Sequence, residues 1–436
     1  MWQRDGVDAF DTPVTYRGLF AVPGFRRVAA ATVVARTGAA MQALVLVLFV
    51  LARFHSPPLA GVVVFLSIVP GLLLSPVAGA LLDRHRRMLL IGLDYAIAAT
   101  VLALIASLDA AGHLPAAALL VVVAVGSLTN PLSNSGTRSL FPVMVPRRLW
   151  ERANAVDSGG YVVASIAGPG IAGVLLGLVG ARGALLATAA LYAAALLLLL
   201  GIGEPDFERM ATASLAGDAL AGLRYVLHHR ELRGIAVATA VSNIAFGIIS
   251  VGMPVLVLSS LHGGDAEVGA MYAVTGVAGL LASVLTGRIS SEDREVWFIV
   301  AGCALGALGM LTMVLASAVG GGLAVVAAAM VFYGVSQGPY DIGMFSLRQR
   351  VTAPSWMGRA FAVSMSLNFI GMPIGSAIAG PVVQHSISIA FGIAVLVDVI
   401  AGVAAVAMLR PSRRGRARRG DGTAGVQPGT AVTSGR

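Results

Sequence analysis

Charge, cysteine and lysine are all scarce in this chain of 436 residues. Only 12% of the residues are charged and 57% are hydrophobic, whereas a soluble domain carries about a quarter charged residues. With a mean hydropathy of +0.86, lipid is the solvent expected for most of the chain. The single cysteine, Cys303, excludes an intramolecular disulfide, and its apolar neighbours mark it as a packing residue. Lysine is absent, so all 30 Lys+Arg residues are arginine. The formal net charge of +9 does not point to nucleic acid, because the arginines sit between apolar runs and in the C-terminal tail without aromatic interleaving. Residues 1–24 carry Asp5, Asp8 and Asp11 and lack an apolar core, so no cleavable signal peptide is expected and the first apolar run directs insertion. No G-x-S-x-G elbow, H-E-x-x-H helix, Walker loop or cluster of metal ligands appears. That argues against an enzyme, a metal site, a bound cofactor and ATP-driven transport.

What is present is a series of twelve apolar runs, at 28–52, 59–82, 88–111, 115–136, 155–179, 184–202, 234–258, 266–287, 296–319, 323–345, 360–384 and 387–409. A helix needs roughly 20 apolar residues to cross ~30 Å of hydrocarbon. The chain also repeats at a spacing of 208 residues: Gly61 matches Gly269 and Gly79 matches Gly287 (269 − 61 and 287 − 79). Within one residue of that offset, Asn130-Pro131 faces Gly338-Pro339, Ser139-Leu140 faces Ser346-Leu347, and Arg152-Ala153 faces Arg359-Ala360. The expected fold is therefore an all-α integral membrane protein of twelve transmembrane helices in two six-helix halves related by internal duplication. The expected division is an N-terminal segment over 1–24, a first half over 25–203, a linker over 204–233, a second half over 234–410 and a basic, disordered tail over 411–436. Leu215, Leu220, Leu223, Val226 and Leu227 give the linker one apolar side at helical spacing, the pattern of an amphipathic helix on a membrane surface. Duplicated membrane halves that rock about a shared site are a usual way to build a carrier.

Arginine-rich loops remain in the cytoplasm, and the asymmetry here is severe. One side carries Arg84, Arg86, Arg87, Arg147, Arg148, Arg152, Arg224, Arg230, Arg233, Arg288, Arg294, Arg348, Arg350 and Arg359, while the loops of the other side offer Arg53 and Arg182. Both termini are expected in the cytoplasm of a plasma (inner) membrane protein, with Arg413, Arg414, Arg416, Arg418 and Arg419 against the anionic leaflet.

After the second apolar run the chain reads Gly79-Ala80-Leu81-Leu82-Asp83-Arg84-His85-Arg86-Arg87. This resembles the G-x-L-a-D-R-x-G-R-R signature of the major facilitator superfamily, with Arg86 where the second glycine usually stands. The resemblance implies a gating loop built on Gly79, Asp83, Arg84 and Arg87, with Asp83 meeting the start of the eleventh span near Gly358 and Arg359; purely topogenic charges are the alternative. A worn copy follows at Gly287-Arg288-Ile289-Ser290-Ser291-Glu292-Asp293-Arg294. The stretch Leu140-Phe141-Pro142 to Leu149, Ala153-Asn154-Ala155, and the linker sequence Gly222 to Arg230 resemble the exporter branch that includes macrolide efflux pumps and the enterobactin exporter. The likeness covers residues 25–410. It implies a monomeric secondary transporter that exports a hydrophobic or amphipathic drug or natural product by proton antiport and alternating access. Siderophore export is the alternative within the fold, and a non-transporting receptor or sensor the alternative of another class.

On the fifth span Gly168, Pro169, Gly170 and Gly173 resemble the superfamily's antiporter motif, in which small residues let spans five and eight pack and rock. Ala164 and Ala172 stand where glycines are expected, and a plain packing seam fits the same residues. Gly371, Pro373 and Gly375 repeat the theme on span eleven. The fourth span lacks the mid-helix arginine of many proton-coupled exporters and offers Asn130 and Asn134, so no proton route carries over.

Ionisable groups at membrane depth are costly and are functional candidates by default. Arg36 lies eight residues into the first run, roughly 12 Å along a helix that rises about 1.5 Å per residue. Asp94 and Asp341 lie at comparable depth, and Asp398 sits in the last run. In the superfamily spans one, four, seven and ten line the cavity and three, six, nine and twelve lie outside, which favours Asp341 as the protonatable group and Arg36 as its charge partner when the cytoplasmic mouth is closed. Snorkelling of Arg36, an Arg36–Asp94 pair, and a local Asp341–Arg348 pair compete with that assignment. Gln42, Asn130, Asn134, Tyr161, Asn243, Gln337, Tyr340 and Asn368 are the polar candidates for a mostly apolar cavity.

Overall fold

The computed structural model describes residues 15–203, 215–319, 321–353 and 356–409. The segment 1–14, the first part of the linker (204–214) and the basic tail lie outside the described residues. Among those described, eleven stretches are helical, long and apolar enough to cross a membrane. The longest, Arg147–Leu199, counts twice, because Gly180 at φ 70° and ψ 176° interrupts its helix. Only glycine takes that conformation without strain. Twelve spans result. Span one is Phe25–Phe54, span two Pro57–Leu66 with Val69–Arg84, span three Arg87–Ala110, and span four Ala116–Ser127 with Asn130–Met144. Spans five and six flank Gly180 within Trp150–Leu199. Then come span seven (Arg230–Val255), span eight (Asp265–Thr286), span nine (Glu295–Val319), span ten (Gly322–Val351), span eleven (Met357–Phe369 with Gly371–His385) and span twelve (Ile387–Leu409).

Spans two, four and eleven are broken part-way, which matters because lipid offers the backbone no hydrogen bonds. Pro70 and Pro131 open the second segments of spans two and four, in the first turn, where a missing N–H costs nothing. The two breaks are stitched together: Asn130 Nδ2 donates to the Ser67 carbonyl at 3.2 Å. Span four, expected to end near residue 136, continues to Met144.

Each half packs through glycines. In the first, Gly168 lies against Ala40 and the Thr37 carbonyl of span one, and a Cβ on Gly38 would stand 3.4 Å from the Tyr192 ring of span six. In the second, Gly371 and Gly375 lie against the Ala240 and Ile244 carbonyls of span seven, with Pro373 buried beside them. At the arginine-poor end, Arg53 and Arg182 converge on one buried carboxylate, Asp109, at 2.8 Å each. Spans one, three and six are clamped there.

The halves meet along two seams, both toward that same end. Gly173 of span five lies against Gly269 of span eight and the Asp265 carbonyl. Span two meets span eleven where a Cβ on Gly380 would stand 2.7 Å from the Pro57 carbonyl. These are copies of one contact, since 265 − 57 is 208 and 380 − 173 is 207. Toward the arginine-rich end an added Cβ on Gly79 of span two or Gly159 of span five would meet nothing within 4 Å. The close glycine contacts between the halves lie at the arginine-poor end.

The linker helix, Leu215–His228, docks on the second half. Tyr225 stacks on Trp356 with centroids 4.6 Å apart and planes 7° from parallel, and its hydroxyl accepts from the Ala353 N–H at 3.1 Å. Val226 is buried with Leu232, Ala236 and Ala360.

Candidate functional site

A cavity of about 220 Å³ opens inside the first half, beside the breaks in spans two and four. Span one supplies Arg36 and Gln42, span three Asp94 and Tyr95, span four Asn130, Ser133 and Asn134, and span six Tyr192. Ser250 of span seven and Met372 of span eleven complete the wall, so the second half reaches the cavity too. Broken helices are what bring backbone carbonyls and short polar side chains to this depth. Tyr192 donates its hydroxyl to Gln42 Oε1 at 3.1 Å, which holds spans one and six in register around the space.

Arg36 is held by span five. Its guanidinium meets the Asp157 carboxylate at 2.8 Å and donates to the Asp157 carbonyl, also at 2.8 Å. The ring of Tyr161 lies 5.8 Å from the same guanidinium. In this structure Arg36 pairs with Asp157 rather than with Asp94, because span five packs along span one and carries a carboxylate one turn before Tyr161. Asp341 is exposed on span ten, and the structure does not bring it to Arg36; coupling between the two would require an exchange of partners.

Gln42, Asn130 and Asn134 line the cavity, and Tyr161 stands at Arg36. The other four candidates lie elsewhere. Tyr340 is buried with Ile299, Cys303 and Ala401 between the helices of the second half. Asn368 is buried in the seam of spans seven, ten and eleven; turning its amide so that both ends are satisfied lets the oxygen accept from Arg348 at 2.9 Å and the nitrogen donate to the Ser364 carbonyl at 2.9 Å. Asn243 donates to the Thr239 carbonyl at 3.0 Å, and Gln337 reaches Ser336 on its own helix at 3.4 Å. In the second half these amides satisfy helix packing as readily as they could serve a ligand.

Asp94 is the larger correction. Expected outside the bundle on span three, it lines the cavity, is 3% exposed, and its Oδ1 has no hydrogen-bond partner. The signal in the sequence is that Asp94 is a lone carboxylate in the middle of an apolar run, where an ionisable group marks a functional candidate. Of the gating-loop residues, Gly79 faces open space, Arg84 is exposed and Arg87 is half-buried. The side chains of Asp83 and Arg359, and the surroundings of Gly358, lie outside what the structure describes. Gly173 takes part in the span five to eight seam, whereas Gly168 faces span one.

Comparison with known proteins gives this architecture a family. The family model of the Major Facilitator Superfamily matches residues 28–376 and again 235–433, and the chain belongs to that superfamily of transporters. It is 35% identical over 401 residues to the uncharacterized MFS-type transporter y4rN of Sinorhizobium fredii, covering 91% of this chain and 97% of that one. It is 28% identical over 374 residues to the multidrug efflux pump Tap of Mycolicibacterium fortuitum, covering 80% and 87%. Among solved structures, a mutant of the nucleoside transporter NupG superposes with a TM-score of 0.73 at 12% identity, over 88% of this chain and 99% of that chain.

Proposed function

We propose that this protein exports a hydrophobic or amphipathic small molecule across the plasma membrane by alternating access, driven by a proton gradient. The observation that carries the reading is a mostly apolar cavity at mid-depth with a few polar side chains in its wall, in a bundle whose halves are sealed by glycine seams at the arginine-poor end. With arginine-rich loops cytoplasmic, the sealed end faces away from the cell interior, the side from which an exporter loads. The likeness to Tap supports export rather than uptake. In the closed-mouth state, Asp83 would meet the positive N-terminal end of span eleven, where a carboxylate is favoured by the helix dipole.

Three experiments bear on the reading. Overexpression should lower, and deletion raise, the intracellular accumulation of a panel of dyes and antibiotics, and dissipating the proton gradient should abolish the difference; equal accumulation across the panel would contradict export. Asp83→Asn should impair efflux while leaving the protein in the membrane, and native efflux rates in that variant would contradict the gating role. A C-terminal reporter that is active only outside the cytoplasm would reverse the orientation.

A further inference from the structure

We propose that Asp94 makes the first-half cavity a site for the protonated amine of an organic molecule that still carries an N–H, in preference to a neutral or quaternary ligand. The inference rests on reading the cavity as the substrate site of a transporter. Asp94 is 3% exposed and its Oδ1 lacks a hydrogen-bond partner. The hydroxyls of Ser133 and Thr129 each have one proton, which can go to this carboxylate or to the carbonyls of Asn130 and Gly126 at 3.3 Å, and both donors are neutral. Arg36, the cation in the same wall, is engaged twice by Asp157. A carboxylate at membrane depth without a counter-charge is costly, so a ligand that brings a positive charge is favoured there.

Asp94 itself decides which cation fits. Tyr192 donates to Gln42 Oε1, Asn130 Nδ2 to the Ser67 carbonyl and Thr32 to the Val28 carbonyl at 2.8 Å, while the amide N–H groups of Gln42 and Asn134 still face the cavity. The buried Oδ1 of Asp94 accepts an N–H, and a trimethylated nitrogen offers none. At about 220 Å³ the cavity is smaller than the roughly 300–1,000 Å³ of drug-sized sites. It takes the amine and its neighbouring atoms, and the body of a larger molecule extends past Ser250 and Met372 between the halves.

The test uses the purified full-length protein in lipid nanodiscs and three probes of one shape: 2-phenylethylamine, its N,N,N-trimethyl derivative and 2-phenylethanol. Calorimetric titration at neutral pH should show the amine binding at least about tenfold more tightly than the other two, the scale of a buried charge-assisted hydrogen bond. Asp94→Asn should remove that preference and leave the alcohol's affinity unchanged, which also reports that the variant is folded. Asp398→Asn, a buried carboxylate of the second half outside the cavity, should behave as native. Equal affinities for amine and alcohol in the native protein, no binding of the amine, or native amine affinity in folded Asp94→Asn would overturn the proposal. Should Asp94→Asn not fold, the native protein's ranking of the three probes decides. Proton-gradient-driven uptake into everted vesicles is read separately. Amine binding without transport would contradict the transport reading and leave the site standing, and transport without amine preference would do the reverse.

Discussion

Three carboxylates define the first half, and each does something different. Asp109 ties Arg53 and Arg182 together at the arginine-poor end. Because those arginines are 47% and 53% exposed, water screens the contacts, and Asp109→Asn should cost about 1–2 kcal/mol rather than the larger penalty of a fully buried pair. A lowered thermal denaturation midpoint in detergent checks this, and an unchanged one contradicts the clamp. Asp157 neutralises Arg36, and Asp94 is left for the cavity. The sequence makes Arg36 and Asp94 conspicuous, since charges are rare in the apolar runs. It does not make their partners legible, because span five carries Asp157 among small residues near a membrane edge, where a solvated charge reads the same as a paired one. Tyr192 was equally hidden. An aromatic residue in a leucine-rich run signals packing, and only the approach of span six to Gly38 reveals its hydroxyl beside Gln42.

At the scale of elements, the twelve spans are legible because each is a run of membrane length, and even the break between spans five and six falls at Gly180, between the expected runs. The breaks inside spans two and four are marked only by Pro70 and Pro131, two to three residues after Ser67-Ile68 and Leu128-Thr129, and nothing in the apolar pattern marks the break at Ile370. Their cause is tertiary: the cavity they line supplies partners such as Asn130 for the freed carbonyl of Ser67. The linker helix was expected from its apolar side, and the structure adds its dock. Tyr225→Ala removes a stacked pair worth about 0.5–1.5 kcal/mol beyond its buried area and should lower thermal stability while shifting the emission of Trp356, one of four tryptophans, to the red. Emission at the native wavelength would show that the stack does not hold the linker.

For the whole molecule, the repeat visible in the sequence becomes a repeat of contacts: Gly173 on the Asp265 carbonyl and Gly380 on the Pro57 carbonyl close the arginine-poor end symmetrically. Neither seam leaves room for a side chain. Overpacking of this kind costs about 1–3 kcal/mol, so Gly173→Leu and Gly380→Leu should each shift the population toward the state open at the arginine-poor end by roughly 5- to 150-fold. The most direct test of the account is a pair of spin-label distance measurements in the membrane-reconstituted protein, one between His113→Cys and Gln384→Cys at the arginine-poor end and one between His85→Cys and Ser290→Cys at the other; Cys303 is buried and stays unlabelled. The account predicts a short distance at the first pair and a long one at the second in the native protein, with the two exchanging in Gly173→Leu. Distances that stay the same in both backgrounds would contradict a transporter that rocks about this cavity.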